Sequence, residues 1–286
     1  MKYAICNETF EGWSHERICS RIAELGYTGL ELAPFTLAPR ITDLSAQRRS
    51  ELRQQAATAG VQLIGLHWLL ARTEGFHLTS PEASVRQRTG EYLAELAQAA
   101  ADLGGDILVL GSPLQRNIPE GVSREQATDF ALDTLTYCLT TLERCQVYLC
   151  LEPLGPAETN FLNTAAEATT LIRRLGHPFV KLHLDVKAMS TEHQPIPEVI
   201  RTHRDWLHHF HANDPNRRGP GFGDTDFKPI FAALREVGYT GWVSVEVFDY
   251  TPDADTIAAE SIRYMRECES HSNGSGSRTP GPLSGR

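Results

Sequence analysis

From Met1 to about Glu267, short apolar runs alternate with longer stretches of helical periodicity. Eight of the short runs read as strands: Tyr3–Cys6, Gly29–Leu32, Gln62–Leu66, Ile107–Leu110, Val147–Glu152, Phe179–Asp185, Trp206–His211 and Trp242–Val247. Seven stretches between and after them read as helices: Ser14–Leu25, Ala46–Ala59, Glu82–Leu103, Arg124–Arg144, Ala165–Leu175, Phe227–Val237 and Thr256–Glu267. Gly26, Gly60, Gly104, Gly176 and Gly238 each follow such a stretch, where a helix ends in a left-handed residue. Ser123 with Gln126 predicts a capping box, and Ser45 with Arg48 predicts the same start without the acidic partner.

Eight strands alternating with helices over about 265 residues predict a single (β/α)8 TIM barrel of the α/β class. A doubly wound sheet gives the same alternation, but it normally carries a glycine-rich turn after its first strand. Cys6-Asn7-Glu8-Thr9 offers no such turn. The barrel is expected over residues 1–268 and a disordered C-terminal tail over 269–286, because Ser270–Arg286 is rich in Ser, Gly, Pro and Arg. Truncation after Cys268 is therefore expected to be harmless.

Composition narrows the function classes. The 286 residues carry 27 basic and 36 acidic side chains, a net charge of −9, and no basic run, so no nucleic-acid partner is expected. No apolar stretch approaches a membrane span, and the opening residues lack a secretory apolar core, so no membrane partner and a cytoplasmic location are expected. Cys6, Cys19, Cys138, Cys145, Cys150 and Cys268 are scattered without a Cys-x-x-Cys pair and read as reduced, packed thiols.

The chemistry is concentrated at the ends of the last four strands. Glu152, Asp185, His211 and Glu246 close those runs at intervals of 33, 26 and 35 residues, one βα unit each. Strand side chains alternate faces. With the three carboxylates inward, Leu149, Leu151, Leu182, Leu184, Val243 and Val245 face the helices. Tyr148, Cys150, Lys181, His183, His209, Trp242 and Ser244 then line the barrel. A lone glutamate at a strand end is an ordinary solvated terminus; four convergent groups at the rim where such barrels place their sites are not. Three hard oxygens and one imidazole suit one divalent ion, Mn2+ first, with Mg2+ or Co2+ as alternatives. His183 and His209 are expected to pack or to hold ligands, and His208, on the other face, to lie under a helix.

At these residues the chain resembles the xylose isomerase-like TIM-barrel sugar phosphate isomerase/epimerase family, in particular its ketose 3-epimerase-like branch. The resemblance implies that Glu152, Asp185, His211 and Glu246 bind one metal and that Glu152 and Glu246 also serve as acid/base groups. It further places Glu158 and Arg217 at substrate-binding positions and implies a possible homo-oligomer. One departure stands out: the branch carries a histidine three residues after the aspartate, where this chain has Ala188. Lys187 is the candidate replacement, as a donor or as a catalytic acid/base. His67, Trp68, Arg116 and Trp13 are further candidate substrate contacts on rim loops.

The expected function is a divalent-metal-dependent sugar isomerase/epimerase. It would abstract a proton α to a carbonyl and form a metal-stabilised cis-enediolate from a small sugar or keto-sugar. A lyase or dehydratase acting on a keto-sugar, inosose or 3-keto-glycoside shares that first step and is the alternative. An endonuclease-IV-like nuclease needs more histidines and a basic face.

Overall fold

The computed structural model describes residues 1–273. Its strands are β1 (Lys2–Cys6), β2 (Gly29–Leu32), β3 (Gln62–Leu66), β4 (Ile107–Leu110), β5 (Tyr148–Leu151), β6 (Val180–Asp185), β7 (Leu207–Ala212) and β8 (Trp242–Val245). They pair in parallel in chain order, and β8 closes on β1 from Lys2↔Trp242 to Ile5↔Val245. Ten α-helices are described: α1 (His15–Leu25), α2 (Ala46–Thr58), α3 (Ala83–Leu103), α4 (Arg124–Thr136), α5 (Leu139–Cys145), α6 (Ala165–Leu175), α7 (Val186–Met189), α8 (Ile196–His203), α9 (Phe227–Glu236) and α10 (Ala254–Asn273). The chain is thus a TIM barrel. None of these helices is long and apolar enough to cross a membrane.

Cap chemistry sets the helix starts as expected. Ser123 and Gln126 close a reciprocal capping box on α4, and Ser45 Oγ accepts from Arg48 N–H at the start of α2. The predicted helix Arg124–Arg144 breaks in two after Thr136. Thr134 and Thr136 donate their hydroxyls to the carbonyls of Phe130 and Asp133, competing with the helix ladder where it ends. The eight-residue α8 had no predicted counterpart: Pro195 and Pro197 surround its start, and its apolar positions span barely two turns.

The aliphatic residues predicted to face outward from β5, β6 and β8 do join the core between barrel and helices. Inside, Ala4, Ile64, Ile107, Val109, Cys150 and Trp242 form a separate apolar floor. A Cβ at Gly29 would lie 2.6 Å from the Trp242 ring, so glycine makes the room for that indole. Above the floor the interior turns polar. His208 does not lie under a helix: a register shift between β6 and β7 pairs Leu182 with Leu207 but His183 with His209, and the skipped His208 ring lies 4.0 Å from Tyr148. The bulge defeats simple alternation.

α10 also runs further than the pattern placed it. Residues expected in the tail continue the helix to Asn273, and Glu269 accepts from the Tyr3 hydroxyl and pairs with the Met1 amino group at 3.1 Å. The last helix is thereby tied to the first strand. Glu269→Ala is expected to cost about 1.5–3 kcal/mol, the range of hydrogen bonds to charged groups, and to lower the melting temperature by several degrees. An unchanged thermal transition would show that the tie contributes nothing. The rest of the expected tail, 274–286, lies outside the described residues.

Candidate metal centre and active site

Four of the eight strand ends bring Glu152, Asp185, His211 and Glu246 to the same rim. Glu152 and Glu246 each stand just past the last residue of a strand, Asp185 ends β6, and His211 lies one residue before the end of β7. All four are buried. Glycine makes room for the first of them: a Cβ at Gly111, just beyond β4, would sit 1.6 Å from Glu152 Oε2.

Asp185, Glu246 and His211 are each oriented by neighbours. Asp185 caps α7, accepting from Ala188 N–H at 2.7 Å, and its other oxygen accepts from Asn213 Nδ2. Asn213 Oδ1 in turn accepts from Lys187 N–H at 2.8 Å. Glu246 Oε1 accepts from the Trp68 indole at 2.6 Å, and Oε2 lies 3.1 Å from His211 Nδ1. His211 Nε2 lies 3.2 Å from Glu31 Oε2, which is also 2.9 Å from His209 Nε2. A carboxylate on Nε2 leaves Nδ1 facing the rim, the orientation a histidine ligand needs.

The donor atoms of Glu152, Asp185, His211 and His183 all lie within 4.8 Å of one another. His183 thus joins the cluster, 3.8 Å from Glu152, while Glu246 reaches it through His211.

Electrostatics define the character of this cluster. Burial, then the charges of Glu246 and Asp185, pushes Glu152 well above the usual carboxylate range. Burial and Glu246 lift Asp185 to about 6. Burial opposes charge on Glu246 too, but His211 and the Trp68 hydrogen bond outweigh it and hold that carboxyl below its usual value. His183 is kept neutral by burial and by its neighbours His211 and His209, and neither ring nitrogen has a hydrogen bond among the described residues. Three buried carboxyls beside a neutral imidazole with an unused lone pair are a donor set that fits a divalent cation.

The other predicted residues divide. Lys187 lies on a helical turn rather than on an extension of β6, so strand parity does not reach it. Its ammonium nevertheless pairs with Glu158 at 2.7 Å and lies 4.9 Å from the Phe248 ring. Burial works against its charge, but Asp185 and Glu158 hold it above the ordinary lysine value. Trp68 stacks on Phe248 beside the carboxylates. Arg217 is exposed in the loop after β7, at φ 74°, with its carbonyl accepting from Phe248 and Asp249 N–H.

Arg116 is buried and donates to the carbonyls of Glu152 and Leu110, a clamp beneath the rim; burial pushes it down to about 10. His67 turns to Glu8, 2.9 Å away. Trp13 packs on Phe10 beneath Arg17 and lines a neighbouring cavity of about 450 Å3 that reaches Trp68, Glu8 and Tyr250. Sequence reasoning missed Glu31, Asn213, Phe248 and Glu8. An acid inside the apolar run Gly29-Leu30-Glu31-Leu32, on the inward parity of Gly29, was the available signal for the first.

A profile of the family described as xylose isomerase-like TIM barrel matches residues 19–268. Among curated proteins, the D-psicose 3-epimerase of Ruminiclostridium cellulolyticum is 27% identical, over 94% of this chain and 98% of its own. A D-psicose 3-epimerase solved in the presence of D-fructose superposes with a TM-score of 0.84 at 24% identity, covering 94% of this chain and 99% of that one. A 3-keto-D-glucoside 4-epimerase from E. coli does so at 0.82 and 21%, covering 94% and 100%. At those identities the two structures speak for the fold. The profile match covers most of the barrel, and the chain belongs to the xylose isomerase-like TIM barrel family.

Proposed function

We propose that this chain is a divalent-metal-dependent epimerase of a ketose or keto-sugar, acting by proton transfer at the carbon next to the carbonyl. The observation that carries the reading is the pair Glu152 and Glu246, both buried at one rim, in surroundings that push the first carboxyl up and the second down. Two carboxyls whose environments push them apart are suited to divide acid and base roles. They follow β5 and β8, three strands apart in a ring of eight, so they approach a bound molecule from different sides.

Glu152, Asp185, His211 and Glu246 would hold the cation, with His183 beneath them. When bound, the cation supplies Lewis-acid polarisation of the carbonyl oxygen, and Mn2+, Mg2+ and Co2+ all suit the donor set. Glu246, kept ionised by His211 and Trp68, takes the proton from the carbon bearing the neighbouring hydroxyl. Glu152 returns a proton to the opposite face, inverting that carbon. The Lys187 ammonium, braced by Glu158, donates to a substrate oxygen where Ala188 leaves no imidazole. Trp68 and Phe248 form an aromatic wall that keeps water from Glu246 and packs on the C–H face of a sugar.

The test is turnover of D-fructose, D-psicose, L-ribulose and a 3-keto-glucoside by protein stripped of metal and then reloaded. Epimers should interconvert only after reloading. A product that has lost a hydroxyl or a glycosidic substituent would replace epimerisation by elimination, and equal activity without metal would reject the reading.

A further inference from the structure

A second polar cluster, unused by the reaction above, closes the other side of the rim. Cys6 ends β1, Glu8 follows it and His67 follows β3; one potential ligand atom from each lies within 4.8 Å of the other two. Their exposures are 0%, 7% and 0%. Glu8 Oε2 is 2.9 Å from His67 Nε2, yet neither carboxylate oxygen and neither ring nitrogen has a well-directed hydrogen bond among the described residues. The Cys6 sulfur makes long contacts, 3.9 Å to Glu31 Oε2 and 3.7 Å to Ser244 Oγ.

Buried polar groups without partners cost free energy, and native proteins keep few of them. Here the Glu8–His67 pair, 2.9 Å apart but without a well-directed hydrogen bond, shares one spot with a thiol. A buried water or a protonated Glu8 would satisfy one or two of these atoms. A cation would satisfy all three side chains at once.

We propose that Cys6, Glu8 and His67 form a second metal site, selective for Zn2+ or a comparably soft divalent ion. Thiolate, imidazole and carboxylate make the donor set of a zinc site, unlike the oxygen-rich set of the centre described above. Tetrahedral zinc with bonds of about 2.0–2.3 Å holds its ligand atoms roughly 3.3–3.8 Å apart, so a small inward adjustment completes the site. Binding releases the Cys6 thiol proton to solvent.

Three protein ligands leave one position open. Glu8 also lines the 450 Å3 cavity, which gives a water or a substrate oxygen a route to it. The His67 and His211 rings are 5.9 Å apart, so the two centres are neighbours with separate ligands. The site does not depend on the epimerase reading.

The experiment loads the purified full-length protein with Zn2+, and separately with Co2+, then counts metal per chain after desalting. Two equivalents are expected in each case. The Co2+ protein should show a near-ultraviolet thiolate-to-cobalt charge-transfer band, which the oxygen-rich centre cannot give. Cys6→Ser should abolish the band and remove about one equivalent; Glu8→Gln should weaken that equivalent; Asp185→Ala should leave the band in place. Absence of the band in unmodified protein counts against the site even if a variant fails to fold. A single equivalent without a band in the unmodified protein would overturn the proposal. So would a band that persists unchanged in folded Cys6→Ser, since it would then arise from another cysteine.

Discussion

Glu246→Gln is expected to lower kcat by roughly 10²–10⁴-fold, the usual contribution of a positioned general base, on whichever ketose the protein turns over. The amide keeps the shape of the side chain and one oxygen to accept from the Trp68 indole, so the wall formed by Trp68 and Phe248 should survive. It loses the negative charge that faces His211 Nδ1 and the lone pair that would take the substrate proton. Since Glu246 is also a proposed ligand, metal content must be measured in parallel. Activity recovered by excess metal alone would assign Glu246 to the cation and leave another group as the base.

The second large effect is at Asp185. Asp185→Ala is expected to remove the cation of the oxygen-rich centre, weakening it beyond the roughly 10–100-fold typical of losing a residue that only orients a ligand. The aspartate is held by Asn213 and by the Ala188 N–H, so its position is preset and no neighbour replaces its oxygens. Alanine also deletes the cap of α7, at a cost of about 1 kcal/mol, which the barrel should tolerate. Asp185→Asn keeps a capping oxygen and separates the two losses. Metal content one equivalent below the unmodified protein, with an unchanged circular dichroism spectrum, is the expected result. A full complement would remove Asp185 from the ligand set.

The parts of the barrel that alternation and spacing control were legible in the sequence. The intervals separating Glu152, Asp185, His211 and Glu246 report one βα unit per step, and the inward parity of the carboxylates is visible in the aliphatics that alternate with them. What escaped depends on local breaks in that regularity. The register shift beside His183 turns His208 inward, and the helical turn directly after Asp185 takes Lys187 off the strand. Contacts from distant segments were equally out of reach. Glu31 on β2 orients His211 on β7, and Trp68 after β3 reaches Glu246 after β8; only barrel closure brings these pairs together. Arg116 reads as a rim cation, but its direction, down to two carbonyls, follows from packing. Glu269 reads as tail because its helix has few apolar residues near its end, while its partners lie at the other end of the chain.

The most direct test of carbon-acid chemistry is hydrogen exchange in unmodified protein. Metal-loaded enzyme and D-fructose or D-psicose are incubated in D2O, and the recovered sugars are read by NMR and mass spectrometry. The account predicts deuterium at the single carbon that is inverted, in both epimers, with none in metal-stripped controls. Epimerisation with complete retention of the original hydrogen at the inverted carbon would mean that one shielded group carries the proton, and the division of roles between Glu152 and Glu246 would be wrong; the original hydrogen found on the neighbouring carbon would mean hydride transfer in place of proton abstraction.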